Sequence, residues 1–278
     1  MAAAGRSRVA PARVIAVRDG RARERSDGVA AEEPMEIRAA GPGQKQIRVA
    51  VTMRTPGNDF ELAVGFLVTE GLLAPRDVAT VAYCEQPEAP RGEDRYNVVT
   101  VGTRTPFDLG TAERNFFASS SCGICGKAAL EAVTVRCERI VDEAATDRET
   151  LLALPGELRL GQRDFERTGG LHAAGLFETS GRLLLLREDV GRHNAVDKVV
   201  GALALEGEDG TGRMLLVSGR LSFEIVQKAA VARVPIVCAV SAPSSLAVEA
   251  ATALGVTAVG FLRPGGFNIY AHPERVRA

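Results

Sequence analysis

Between Met214 and Leu262 the chain switches repeatedly between two periods: MLLVSG, SFEIVQKAAVA, PIVCAV, SSLAVEAATALG and TAVGFL read as strand, helix, strand, helix, strand. Apolar strands divided by helices need cover on both faces, so this alternation predicts a helix-flanked sheet. RLLLLREDV, broken at Gly191-Arg192-His193, and then NAVDKVVGALA carry the same pattern upstream. Residues 106–278 are therefore expected to form one α/β domain, entered through the linker TRTPFDLGTAERNFF.

Residues 12–105 read differently, as a small α+β domain. MEIRAAGPGQKQIRVAVTMR is two strands around a Gly-Pro-Gly turn, with Ile47, Val49, Val51 and Met53 expected on one face. Thr55-Pro56 opens a helix with Asn58 and Glu61 at capping-box spacing and Gly71 as its stop. VATVAYCE and YNVVTVG are two further strands. The first 25 residues hold seven arginines against two acids, and residues 1–11 are expected to be a disordered lead-in. No export signal and no membrane-spanning apolar run are present, so the expected location is cytoplasmic. A net charge of -1 gives no general attraction to nucleic acid or to a membrane surface.

Several predicted strands end in residues suited to ligand-binding turns: Gly191-Arg192-His193-Asn194, Ser218-Gly219-Arg220, Ser241 to Ser245, and Arg263-Pro264-Gly265-Gly266. In parallel α/β sheets such turns gather at one edge, where helix N-termini and arginines favour anions. Arg192, Arg220 and Arg263 can together hold a pyrophosphate there; the alternative is that Ser and Gly cap helices while Arg solvates a rim. No Walker-type or GxGxxG loop signals an ordinary nucleotide cofactor.

The pair Cys122-Gly-Ile-Cys125-Gly admits three readings: a metal half-site, a redox disulfide, or a sulfur handled as a reagent. Cys125 precedes a predicted helix, KAALEAVTV, with Lys127 beside it, and both features lower a thiol pKa. Gly123 and Gly126 leave room for a second molecule to approach. A zinc site would have to recruit His172 and His193, since Cys84, Cys137 and Cys238 read as buried small hydrophobes. FFASSS is a poor strand for a thioredoxin-type motif. TGGLHAAGLF invites comparison with the zinc deaminase signature, but Ala174 stands where that signature has its acid–base glutamate.

SSCGICGK, TGGLHAAGLF, EDVGRHNAVDKVVG, SGRLSFEIVQKA, SAPSSLAVEAA and VGFLRPGG, in that order, resemble the formate dehydrogenase accessory sulfurtransferase (FdhD) family, as does TPGNDFELAVGFLVTEG. The resemblance runs from about residue 12 to nearly the end of the chain. It implies a cytidine-deaminase-like second domain and a sulfurtransferase working through a cysteine persulfide. Sulfur would come from a cysteine desulfurase and pass to the molybdenum bis(molybdopterin guanine dinucleotide) cofactor, bound as substrate and destined for formate dehydrogenase. By position Cys122 would bear the persulfide with Cys125 as its partner, and Phe261, Leu262, Arg263, Pro264, Gly265 and Gly266 would form the cofactor-binding stretch. Ser218, Arg220 and His193 are further candidates for that contact. Asp189 is a weaker one, with Asn194 expected to cap its helix and Asp197 to solvate it. The resemblance also implies a homodimer; no permanent cofactor or metal is expected. Two other readings stand beside it: a chaperone that carries the molybdenum cofactor without moving sulfur, and a zinc-dependent hydrolase on the deaminase-like scaffold.

Overall fold

The computed structural model describes residues 7–83, 96–109 and 137–277. Cys84, Cys122, Cys125 and the helix expected at KAALEAVTV lie outside the described residues.

The arginine-rich start is ordered from Val9 onward, in place of the lead-in expected to run through residue 11. Strands β1 (Val9–Arg18) and β2 (Arg21–Ala30) pair antiparallel along their whole length. Asp19 and Gly20 join them with φ of 51° and 73°, the left-handed pair that a two-residue hairpin turn requires. The hairpin leans on the second half of the chain: Arg8, just before it, bonds Asp164 at 3.2 Å and reaches Asn58.

A four-stranded sheet follows, ordered β4-β3-β6-β5, from β3 (Glu33–Ala40), β4 (Ile47–Arg54), β5 (Val78–Tyr83) and β6 (Val98–Thr103). Its central pair, β3 and β6, is parallel. Helix α1 (Asp59–Thr69) covers it. Two sequence expectations fail here for local reasons. The β3–β4 register slips between Ile37 and Arg38, so that β4 carries an extra residue; Val49 is buried, while Val51 and Met53 are 58% and 47% exposed. The capping box at α1 does not form. Asn58 is left-handed (φ 59°) and makes no cap bond, and Glu61 is taken by Arg187 at 2.7 Å.

The second sheet has six strands in the order β13-β12-β11-β10-β8-β9. They are β8 (His172–Glu178), β9 (Leu183–Asp189), β10 (Arg213–Val217), β11 (Ile236–Ala239), β12 (Thr257–Arg263) and β13 (Gly266–Ala271). A short β7 (Thr146–Asp147) pairs separately with β14 (Val276–Arg277). Only β10, β11 and β12 are mutually parallel; the others join antiparallel, so the sheet is mixed rather than parallel throughout. Its faces alternate cleanly. Met214, Leu216, Ile236, Cys238 and Phe177 meet helix α2 (Arg148–Gly161), while Leu215, Val217, Val237 and Ala239 meet the opposite helices. Those are α4 (Arg192–Leu205), α5 (Phe223–Val231) and α6 (Ser245–Leu254). A six-residue helix α3 (Arg163–Thr168) follows α2. Helix cover on both faces is thus as expected.

One buried cluster runs from β3 and β6 through α1 and α4 into the second sheet. The joint is a helix crossing at two glycines. A Cβ on Gly65 would lie 1.8 Å from the carbonyl oxygen of Asp197, and one on Gly201 would lie 1.8 Å from that of Glu61. Only glycine allows backbones this close. Buried ion pairs surround the crossing: Lys198–Asp189 at 2.6 Å, and Lys228 with Asp197 at 2.9 Å and Glu70 at 3.0 Å. Among the described residues no helix is long and apolar enough to cross a membrane.

Candidate functional site

Strand direction decides what meets at the sheet edge. Because β8 runs antiparallel to β10 and β9 antiparallel to β8, the carboxyl ends of β9, β10, β11 and β12 share an edge with the amino end of β8. His172 opens β8 opposite Asp189, the last residue of β9. Ser218 follows β10 and accepts the Ala173 N–H at 2.9 Å. Gly219 is the meeting point: a Cβ there would stand 3.6 Å from both His172 Nδ1 and Arg192 Cδ.

Arg192 begins α4 and acts electrostatically on both His172 and His193. Its Nε is buried and, among the described residues, has no hydrogen-bond partner. A buried donor left unpaired is costly and rare, so this one marks a place where an acceptor belongs. Burial first, and Arg192 second, hold His172 below the ordinary imidazole range. His193 is pushed down to about 4 by burial, then by Arg192 and Lys228. Both histidines are neutral at pH 7 and offer one donor and one acceptor each. His193 Nε2 lies 3.3 Å from Ser222 Oγ, on the α5 side of the edge.

The other expected arginines stand apart. Arg220 is exposed just after Gly219. Arg263 ends β12, two strand spacings from β10, or roughly 10 Å further along the edge. The Phe261–Gly266 stretch is the β12–β13 hairpin. Its pairing slips between Gly260 and Arg263, and Phe261 is forced to φ 53°, with its N–H donating to Ser241 O at 3.0 Å. A left-handed non-glycine residue held in this way is strained and 37% exposed, as ligand-facing residues often are. Leu262 faces inward instead and is wholly buried among the α2-side core, so its side chain anchors the hairpin. Arg263, Pro264 and Gly265 form the exposed turn.

Three other residues do structural work. Asp189 is fully buried and accepts from Thr55 N, Gly191 N and Asn194 Nδ2 as well as Lys198. Asn194 caps nothing in its own helix; its amide donates to Met53 O at 2.7 Å and ties β4 to α4. Asp197 does not solvate α4. It is buried against Lys228 and Thr69, because α1 packs on that face. Cys238 is buried in β11 and its thiol is pushed up to about 12; Cys137 is half-buried, outside any strand, and also raised by burial.

Sequence reasoning missed one wall of the site. Helices α2 and α3 enclose, with His172, Ser218 and Val240, a cleft of about 580 Å³. Pro155 inside α2 disguises it as a loop, although Leu151, Leu154 and Leu158 give a helical stripe and Asp147 caps it by accepting the Thr150 N–H at 2.7 Å. Glu188 fixes α3 by accepting the N–H groups of Asp164 and Phe165.

Fold and site together define a mixed α/β protein, with two larger and two two-stranded sheets among the described residues and arginines spread along one strand-end edge. Residues 30–277 match the FdhD/NarQ family, and the chain belongs to it. It is 49% identical to a sulfur carrier protein FdhD of Streptomyces avermitilis, covering 95% of this chain and 94% of the relative. One from Mycobacterium tuberculosis is 48% identical (91% and 92% covered), and one from Thermoplasma acidophilum 44% (91% and 88%). A crystal structure described as a formate dehydrogenase accessory protein from Desulfotalea psychrophila shares the fold, with a TM-score of 0.75 at 24% identity, over 98% of this chain and all of that one.

Proposed function

We propose that this protein carries sulfur from a cysteine desulfurase to the molybdenum bis(molybdopterin guanine dinucleotide) cofactor, which formate dehydrogenase then receives. The observation that carries the reading is the 49% identity, over nearly the whole length, to a relative named as a sulfur carrier. The strand-end geometry supports the second half of it. An elongated ligand with two pyrophosphates suits arginines spread along an edge better than one compact anion does, and the unpartnered Arg192 Nε awaits an acceptor.

The sulfur chemistry falls to Cys122 and Cys125. The Cys122 thiolate attacks the outer sulfur of the donor persulfide; the donor's S–S bond breaks and its cysteine leaves as thiolate. No net oxidation occurs, and Cys122 now bears the extra sulfur. Attack by the Cys125 thiolate on the inner sulfur would release the outer one as hydrosulfide and leave a Cys122–Cys125 disulfide, which a cellular dithiol then reduces. In cells lacking the native protein, Cys122→Ser should fail to restore formate dehydrogenase activity while accumulating to the normal level. Full restoration by that variant would leave a cofactor chaperone as the correct description.

A further inference from the structure

We infer that the β1–β2 hairpin is a docking arm that takes an acidic, extended segment of a partner protein as its third strand. The inference goes beyond the sulfur chemistry above and does not depend on it. The arm precedes the residues matched to the family, which begin at 30. Its strands are ten residues each, and among the described residues neither has a second neighbour, so each presents an outer edge open to a further strand. The root of the arm rests on α3, where a Cβ on Gly28 would lie 3.2 Å from Arg167 O and Arg8 holds Asp164. Beyond that root, residues 17–26 are all exposed. A two-stranded ribbon on its own is marginal in water, and a third strand is what stabilises it.

The register sorts the arm into two faces, because residues directly opposite each other share a side. One face carries Val14 with Arg25, Ala16 with Arg23 and Arg18 with Arg21. Among the described residues Arg25 is ion-paired, with Asp27 at 2.9 Å, while Arg18, Arg21 and Arg23 are not. The other face carries Ile15 with Glu24 and Val17 with Ala22, and both Ile15 and Val17 are 68% exposed. Across residues 13–25 five arginines stand against two acids, in a chain whose net charge is -1. Positive charge gathered on an arm selects an acidic partner. It also opposes edge pairing with a second copy, which would set arginines beside arginines. The open edges and the exposed Ile15 and Val17 call for a polypeptide strand rather than a phosphate backbone or lipid headgroups. A strand that alternates acidic and apolar residues would lay its acids along the arginine face and its apolar side chains along the other.

The test is fluorescence anisotropy of the full chain with three labelled peptides of about eight residues: alternating valine and glutamate, the same peptide fully N-methylated, and alternating valine and lysine. The valine–glutamate peptide should bind about tenfold or more tighter than the other two, since N-methylation removes the donors a strand edge needs and lysine reverses the charge. Replacing Arg18, Arg21 and Arg23 together by serine should lose about the same factor, which three exposed ion pairs can supply. All three side chains are exposed, so the melting temperature should not change. Failure of the valine–glutamate peptide to bind, or undiminished binding to the triple variant, would overturn the proposal. Equal binding of the N-methylated peptide would reduce the arm to a patch of charge and overturn it too. Phosphatidylserine vesicles or oligothymidine held by the same arginines, with the peptide left unbound, would replace the protein partner with a lipid surface or a nucleic acid. Sedimentation supplies the last check: a native dimer that the triple serine variant turns into a monomer would assign the arm to contact between copies, against the proposal. Persulfide formation on Cys122 is independent of these outcomes, so the sulfur reading and the docking arm can fail separately.

Discussion

Burial first, and the Arg192 guanidinium second, keep the neighbouring imidazoles neutral. Burial and this guanidinium together hold His193 at about 4, against an ordinary value of 6.5. As pH falls below 6.5 the unfolded chain takes up the proton first, while the folded protein resists until about 4. The stabilisation is therefore present above pH 6.5 and lost progressively down to pH 4. The side chain is 36% exposed, so solvent screening reduces the effect to about 1 kcal/mol. His193→Gln should flatten the decline of melting temperature across that interval; an unchanged slope would show that the histidine is not held neutral by its site.

The α1–α4 crossing shows how a single methyl acts on an element. At Gly65 the new Cβ would meet a backbone carbonyl at 1.8 Å, so the helices have to separate. Gly65→Ala should cost about 3 kcal/mol or more and lower the melting temperature by roughly 6 °C or more. Because Gly201 closes the same contact, Gly201→Ala added to it should cost less than its own single effect. Additive losses would place the two helices further apart than described. At this scale the sequence was readable wherever the signal was local. β10, α5, β11, α6 and β12 announce themselves through a change of period, and the strand-end turns through their Ser, Gly and Arg. The β1–β2 hairpin was hidden because arginines between its apolar residues mimic a solvated tail, although Asp19-Gly20 marked its turn. α2 was hidden by Pro155. The bulge in β4 is a property of pairing, invisible in one strand alone. The candidate site was half legible for the same reason. His172 reaches Arg192 only because β8 inserts between β10 and β9, and the cleft beside it is closed only by α2 and α3. No local pattern encodes either meeting.

Across the whole molecule, the four-stranded sheet, the crossed helices and the six-stranded sheet share one buried cluster and a set of buried ion pairs. The two sheets should therefore unfold together, in one calorimetric transition whose heat equals its van't Hoff enthalpy; two resolved transitions would contradict the shared core. That rigidity keeps Arg192, His172 and the α2–α3 cleft in register with the turns that follow β10, β11 and β12. The central claim, that sulfur travels on the first cysteine of the glycine-bracketed pair, is tested most directly by intact mass after incubation with a cysteine desulfurase and cysteine. The account predicts a gain of one sulfur atom that dithiothreitol removes, present in the native protein and in Cys125→Ala and absent in Cys122→Ala. An equal gain in Cys122→Ala, or none in the native protein, would contradict it.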